Sequence, residues 1–198
     1  MGADRDACSA APSRRTVLTL ALGLTLGLPL LDVAAAQDAD PKAARPREGD
    51  RLVFASGSRK GRVIAPADAP PGEPPLTAYP MDPVTSVVRD GSRLNQVLLA
   101  RLEPEELGEE TRGRAAAGIV AYSAVCTHTG CDSWEWQPAS KTITCPCHFS
   151  VFDLKDSARV LDGPAPRRLP ALPLRVVEGV LAAAGGFSGR VGFQQGGG

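Results

Sequence analysis

The chain has little histidine and few aromatic residues: two of its 198 residues are histidine, and Phe, Tyr and Trp together make 5%. It has no excess of charge of either sign, with 22 Lys and Arg against 22 Asp and Glu. That balance, with no basic tract, argues against nucleic acid as a partner. It also lacks a long apolar run. The one stretch that stands out, residues 17–31, falls short of the about 20 residues that a membrane span requires, and Gly23, Gly27, Pro29 and Asp32 weaken it further. No internal repeat, general base, nucleophile or substrate pocket is evident. What the chain has in plenty is proline and glycine, 18 and 21 residues. Its length suits one ordinary domain with extensions, and this composition suits a loop-rich all-β domain better than a helical one.

The N-terminal residues read as a targeting segment. Ser13-Arg14-Arg15-Thr16-Val17-Leu18 precedes the apolar stretch, and Val33-Ala34-Ala35-Ala36 offers a small-residue cleavage site. This is the layout of a twin-arginine export signal over residues 1–36, with retention as a signal or anchor helix as the alternative. Removing it takes away three arginines (Arg5, Arg14, Arg15) and three aspartates (Asp4, Asp6, Asp32), so the remainder stays neutral. Residues 37–82 are expected to be a linker and proline-rich extension with short strands at 51–55 and 62–65. Residues 83–193 are expected to form the main domain, and residues 194–198 a disordered tail. Within the main domain, 84–89 and 95–102 read as strands around an Asp90-Gly91 turn. Residues 103–117 read as a short helix or surface insertion, 118–125 as a buried strand, and 172–177 with 180–184 as a final hairpin.

Both histidines sit inside cysteine motifs, Cys126-Thr127-His128-Thr129-Gly130-Cys131 and Cys145-Pro146-Cys147-His148-Phe149-Ser150. Four of the five cysteines thus share two short segments with both histidines. Thiolates and imidazoles together form a ligand set for iron or zinc. Cysteines on one iron and histidines on the other make the mixed-ligand form of a [2Fe–2S] cluster. The plainer reading is a zinc-stabilised binding module without redox activity. Structural zinc favours C-x2-C or H-x3–5-H spacing, which C-x-H and C-P-C-H match poorly. A lone histidine is more often a surface or core residue, but here none lies outside the motifs.

The pattern C-x-H-x-G-C followed by C-P-C-H-x-S closely resembles the Rieske iron–sulfur family, from about residue 95 to residue 193 and most strongly over 118–173. The resemblance implies an antiparallel β-sandwich or barrel with a small cluster-binding subdomain, its loops within 120–170. It implies one Rieske-type [2Fe–2S] cluster, with Cys126 and Cys145 on the buried iron and His128 and His148 on the outer one. Cys131 and Cys147 correspond to the disulfide of the high-potential branch, which the family's oxygenases lack. Cys8 acquires no role. Ser150 matches the serine whose hydroxyl bonds to a bridging sulfide and raises the potential, against a plainer role in capping a turn. Gly163-Pro164-Ala165-Pro166 resembles the proline loop that covers the cluster. Trp134 and Trp136, between the motifs, are expected to pack under the loops.

Two positions narrow the resemblance. Phe152 stands where quinol-oxidising members usually have tyrosine, and Phe149 replaces their usual glycine. The run from Cys147 to Asp153 looks more like the small subunit of arsenite oxidase, a periplasmic molybdenum enzyme. The resemblance therefore implies a non-catalytic electron-transfer subunit of a periplasmic oxidoreductase. Its partners would be a molybdenum-containing large subunit and a cytochrome c acceptor. The alternative is the Rieske subunit of a membrane quinol–cytochrome c oxidoreductase, associated with the membrane through the N-terminal segment. Export by the twin-arginine route suits an iron–sulfur protein, because that route carries folded cargo, and an oxidising destination permits the disulfide.

Overall fold

The structure, a computed structural model, describes residues 40–193. The expected signal or anchor segment, Cys8 and the expected tail lie outside the described residues. Among the described residues, no helix is long and apolar enough to cross a membrane.

The fold is all-β. Among the described residues, ten strands form two antiparallel sheets, one of six strands in the order β4-β3-β2-β1-β10-β9 and one of four in the order β5-β6-β7-β8. The six-stranded base uses β1 (Arg51–Phe54), β2 (Leu76–Met81), β3 (Val97–Arg101), β4 (Ile119–Ser123), β9 (Leu174–Val177) and β10 (Val180–Ala183). The smaller sheet is a meander of β5 (Glu135–Gln137), β6 (Thr142–Cys145), β7 (Ser150–Asp153) and β8 (Arg159–Asp162). It is inserted between β4 and β9, the insertion that the all-β Rieske architecture implies.

Two apolar cores lie against this framework, and β3 and β4 belong to both. On β3, Val97 and Leu99 enter one core while Leu98 and Ala100 enter the other. On β4, Ile119 and Ala121 point one way while Val120 and Tyr122 point the other. Successive side chains alternate faces in a strand, so a continuous apolar run such as Ile119-Val120-Ala121-Tyr122 can only be a strand covered on both sides. The second core extends through Ile143, Phe152 and Leu154 of the inserted sheet to Cys126 and Cys145.

Several local expectations change. The short strand expected at 51–55 forms as β1 (51–54), and residues 76–81, assigned to the extension, supply β2; both are interior strands of the base sheet. Residues 62–65 do not form a strand; Val63 makes a single bridge to Val53. Residues 84–89 form a turn instead of a strand. The Asp82 carboxylate accepts from the N–H groups of Val84 (2.9 Å) and Thr85 (3.1 Å), which draws these amides away from any ladder. Ser86 takes a positive φ of 59°, and only Val88 bridges back, to Met81. Residues 103–117 hold a 3-10 turn at Pro104–Glu106 and the short helix α1 (Glu109–Arg112). The final hairpin forms as expected: Glu178 and Gly179 have φ of 51° and 79°, the double positive turn that two-residue hairpins require.

The stretch before β1 is tied down by buried polar contacts. Asn95 Nδ2 donates to Ala44 O (2.8 Å), and the Gly91 N–H donates to Lys42 O (3.0 Å). A Cβ on Gly91 would stand 2.9 Å from the Lys42 backbone, so this approach needs glycine. Arg89 and Asp50, 3% and 2% exposed, form a two-pronged pair with bonds of 2.6 and 2.8 Å. Asp82 lies 3.4 Å from the same guanidinium. Removing one partner of such a pair strands a buried charge. Asp50→Ala should lower stability by about 3 kcal/mol, the lower end of the usual range for a broken buried pair, because Asp82 remains nearby. A urea titration would read the loss, and an unchanged midpoint would mean that water reaches Arg89.

Candidate metal centre

Two loops and a third covering segment meet at one end of the inserted sheet. The first loop leaves β4 and carries Cys126, His128 and Cys131. It is closed by a Cys126 N–H bond to Cys131 O (2.7 Å) and a Gly130 N–H bond to Cys126 O (3.1 Å). Gly130 has a φ of +86°, and a Cβ there would stand 2.8 Å from the Phe193 ring. The second loop is the tip of the β6–β7 hairpin. Cys145 and Ser150 pair across it, and the Phe149 N–H donates to Cys145 O (2.9 Å).

The third segment is Gly163-Pro164-Ala165-Pro166, which lies against the second loop. The Ala165 N–H donates to Ser150 Oγ (3.0 Å). Ser150 is fully buried, and with its oxygen accepting from Ala165 its hydroxyl proton is free to point elsewhere. Gly163, with a φ of +86°, passes so close that a Cβ would lie 2.5 Å from Ser150 Cα. Thr127, inside the first motif, donates from Oγ1 to Arg167 O (2.6 Å), so the segment is fastened to the first loop as well.

A disulfide joins Cys131 to Cys147, with Cα atoms 6.7 Å apart and a sequence separation of 16. The two loops are therefore one covalent unit. Cys145 Sγ lies within 4.8 Å of both disulfide sulfurs, but those sulfurs are already bonded. Among the described residues, the thiols available to a metal are Cys126 and Cys145, both buried at the edge of the second core. The two imidazoles lie together as well: the His128 and His148 rings are 4.6 Å apart and nearly perpendicular, with His128 half-buried and His148 exposed. The structure thus sets both thiols in one core, links the two loops by the disulfide and brings the two imidazoles together, although the sequence places them in two separate segments.

This donor set suits a mixed cysteine–histidine [2Fe–2S] cluster. Burial pushes the Cys126 thiol up to about 11, and the adjacent Cys145 adds to the effect. A thiol held that high needs a cation before it becomes a ligand, so loading the site must release its proton. His128 Nδ1 is buried without a hydrogen-bond partner among the described residues, a cost that a metal bond would remove.

Sequence reasoning missed several supports. The Trp134 indole N–H donates to Ala124 O (2.8 Å), two residues before Cys126, and its ring packs edge-on against Phe152 at 5.6 Å. Trp134 thus packs under the first loop as expected, and Trp136, half-exposed, packs against the same core while its indole N–H reaches Gly72 O (3.2 Å). The Arg93 guanidinium donates to Gly130 O (2.6 Å). Trp134 and Gly163 carry a signal in the sequence and Thr127 lies between two ligand-type residues, whereas Arg93 carries none. Gly163→Ala should cost roughly 2–3 kcal/mol, from an unfavourable φ and from the collision with Ser150. Thermal unfolding would detect it, and an unchanged Tm would mean that the covering segment can shift aside.

A family model for the Rieske [2Fe-2S] domain matches residues 95–173. The chain is 43% identical over 98 residues to the cytochrome bc1 complex Rieske iron-sulfur subunit of Streptomyces lividans, covering 48% of this chain and 58% of that protein. It is 51% identical over 77 residues to a Rieske subunit provisionally named for the respiratory nitrate reductase of Haloferax mediterranei, covering 38% of this chain and 34% of that one. The match thus spans little more than half of the first relative and a third of the second. Neither is named for arsenite oxidase, whose small subunit the second motif resembles. Among solved structures, the soluble domain of Rieske protein II from Sulfolobus acidocaldarius matches at a TM-score of 0.36 and 23% identity, over 48% of this chain and 66% of that one. The family model spans both cysteine–histidine loops: residues 95–173 match the Rieske [2Fe–2S] domain, a match that implies one such cluster.

Proposed function

We propose that Cys126 and Cys145 hold the inner iron and that His128 and His148 hold the outer one, in an electron-carrying subunit of a periplasmic oxidoreductase complex. The observation that carries this reading is the layered site: two buried thiols, then a half-buried imidazole, then the exposed His148 beside Phe149, which is 69% exposed. Such an order gives an electron a short path from the interior to a partner protein. The cluster, when bound, supplies a one-electron couple whose potential, with two neutral imidazoles among its ligands, lies at roughly −150 to +300 mV.

The protein's own residues tune and protect that couple. The Ser150 hydroxyl, held in place by Ala165, is available to donate toward a sulfide. Trp134 and Phe152 keep water from the inner thiols. The Cys131–Cys147 bond keeps the loops together whatever the oxidation state. The first candidate for the complex is a molybdenum oxidoreductase of the arsenite-oxidase type, feeding a cytochrome c. Phe152, buried where quinol oxidisers usually carry tyrosine, supports it. The second candidate is a quinol–cytochrome c oxidoreductase, which the likeness to the Streptomyces lividans subunit supports equally. In either case the chain carries electrons, and the catalytic chemistry belongs to another polypeptide. Export through residues 1–36, by cleavage or by anchoring, belongs to the same proposal.

Two measurements test it. Purified protein should contain two irons per chain by the definition of the cluster, with a Rieske-type EPR signal on reduction. Zinc without a reducible signal would replace this reading with a structural metal module. Phe152 lies in the same buried cluster as Cys126 and Cys145. Phe152→Tyr should therefore raise the midpoint potential by roughly 40 mV, the equivalent for one electron of a hydrogen bond worth about 1 kcal/mol. A folded variant with an unmoved potential would show that the new hydroxyl does not reach a ligand sulfur.

A further inference from the structure

Four arginines gather where the C-terminal segment 190–193 meets the first loop. Arg93 donates to Gly130 O (2.6 Å), Arg45 to Leu94 O (3.2 Å), and Arg167 to the carbonyls of Arg190 (2.6 Å) and Gly192. Among the described residues, none of these four, Arg190 included, has a carboxylate oxygen within 4.0 Å. Eight other arginines do: Arg51, Arg59, Arg62, Arg89, Arg114, Arg159, Arg168 and Arg175. In a chain of zero net charge, this is a local excess of positive charge. It also carries a cost: burial and the nearby Arg190 charge both lower the Arg167 pKa from its ordinary value.

Arg45, Arg190 and Val191 are common to two adjoining grooves. One, of about 310 Å³, continues along Pro46, Gly186, Phe187 and Gly189. The other, of about 270 Å³, continues along Leu94, Gly192 and Phe193. Exposed Arg45 and Arg190, lining the same grooves as Leu94, Phe187 and Phe193, give the mixture of arginine and aromatic surface that protein interfaces favour. Several of these heads are tethered to backbone carbonyls, so they lose less freedom on binding than free lysines would. The surface also touches the metal loop, because Phe193 and the Arg93 guanidinium both bear on Gly130.

We infer that this groove docks the acidic face of a redox partner protein, with Arg45 and Arg190 meeting its carboxylates. The inference rests on the electron-carrier reading for the partner's redox character. Charge complementarity commits it to an acidic protein surface: rigid arginines beside aromatic ground suit a shaped partner better than a fluid lipid surface. Complementary charge would speed encounter and fix orientation, with the first loop held beside the contact.

Labelled poly-L-glutamate serves as the probe, its binding to the iron-loaded full chain followed by fluorescence anisotropy. Binding should be present at low salt and fall by about tenfold as the Debye length shrinks toward 8 Å at physiological salt. Arg45→Gln with Arg190→Gln should weaken it by about tenfold, leaving the EPR signal and thermal unfolding unchanged. Arg59→Gln with Arg62→Gln, the same change in charge at the Phe54 side of the base, should leave binding intact. Equal weakening by both double variants would reduce the effect to net charge and overturn the inference. So would binding to phosphatidylglycerol vesicles in place of the peptide. Arginine-dependent peptide binding in a protein that gives no Rieske signal would overturn the redox character of the partner while leaving the acidic docking surface standing.

Discussion

The metal centre depends on two strands that have no solvent face. β3 and β4 are covered on both sides, so the base core and the core of the inserted sheet share one wall. The first loop leaves the end of β4 directly, and Cys126 is the third residue beyond it. Its position is fixed before any metal is considered, because moving β4 would open two cores at once. Tyr122 adds a polar tie, its hydroxyl donating to Leu154 O (2.9 Å) just past β7. The two cysteine loops therefore spring from neighbouring points of one packed body, and the disulfide joins tips that already lie close.

The chemistry of the site was legible in the sequence because its signals are local. A cysteine and a histidine within four positions, twice, with no histidine elsewhere, leave few alternatives. The fold was legible where a continuous apolar run or a turn residue spoke for itself, as in β4 and in the Glu178-Gly179 hairpin. The place of β1 and β2 was not, since an interior strand is made by its partners. β1 pairs with β10, whose Ala182 faces Arg51, and nothing near residue 51 announces a neighbour so far along the chain. Residues 84–89 misled for the opposite reason. Their side chains suit a strand, but the Asp82 carboxylate takes their amides.

Arginine does two kinds of work in this protein. Arg89 holds two carboxylates in the base, and Arg168 reaches Glu110 on α1. Near the centre, arginines instead bind backbone carbonyls: Arg93 on the first loop, and Arg167 on the C-terminal segment. A guanidinium offers five donors and no acceptor, so one side chain can brace an irregular loop that has no ladder of its own. The same property leaves donors and charge to spare. Loop bracing and positive surface thus come from the same residues.

The order in which strands find partners has a consequence for how the molecule is made. In the inserted sheet each strand pairs with the next one in sequence, so that meander can close as soon as it is synthesised. The base cannot, because β1 waits for β10, the last strand among the described residues. Contacts of short span form quickly and contacts of long span slowly. The cysteine-bearing half of the protein is therefore local in its folding and the supporting half is global. A nascent chain would present its cysteine loops while the sheet beneath them still lacks its β1–β10 pairing.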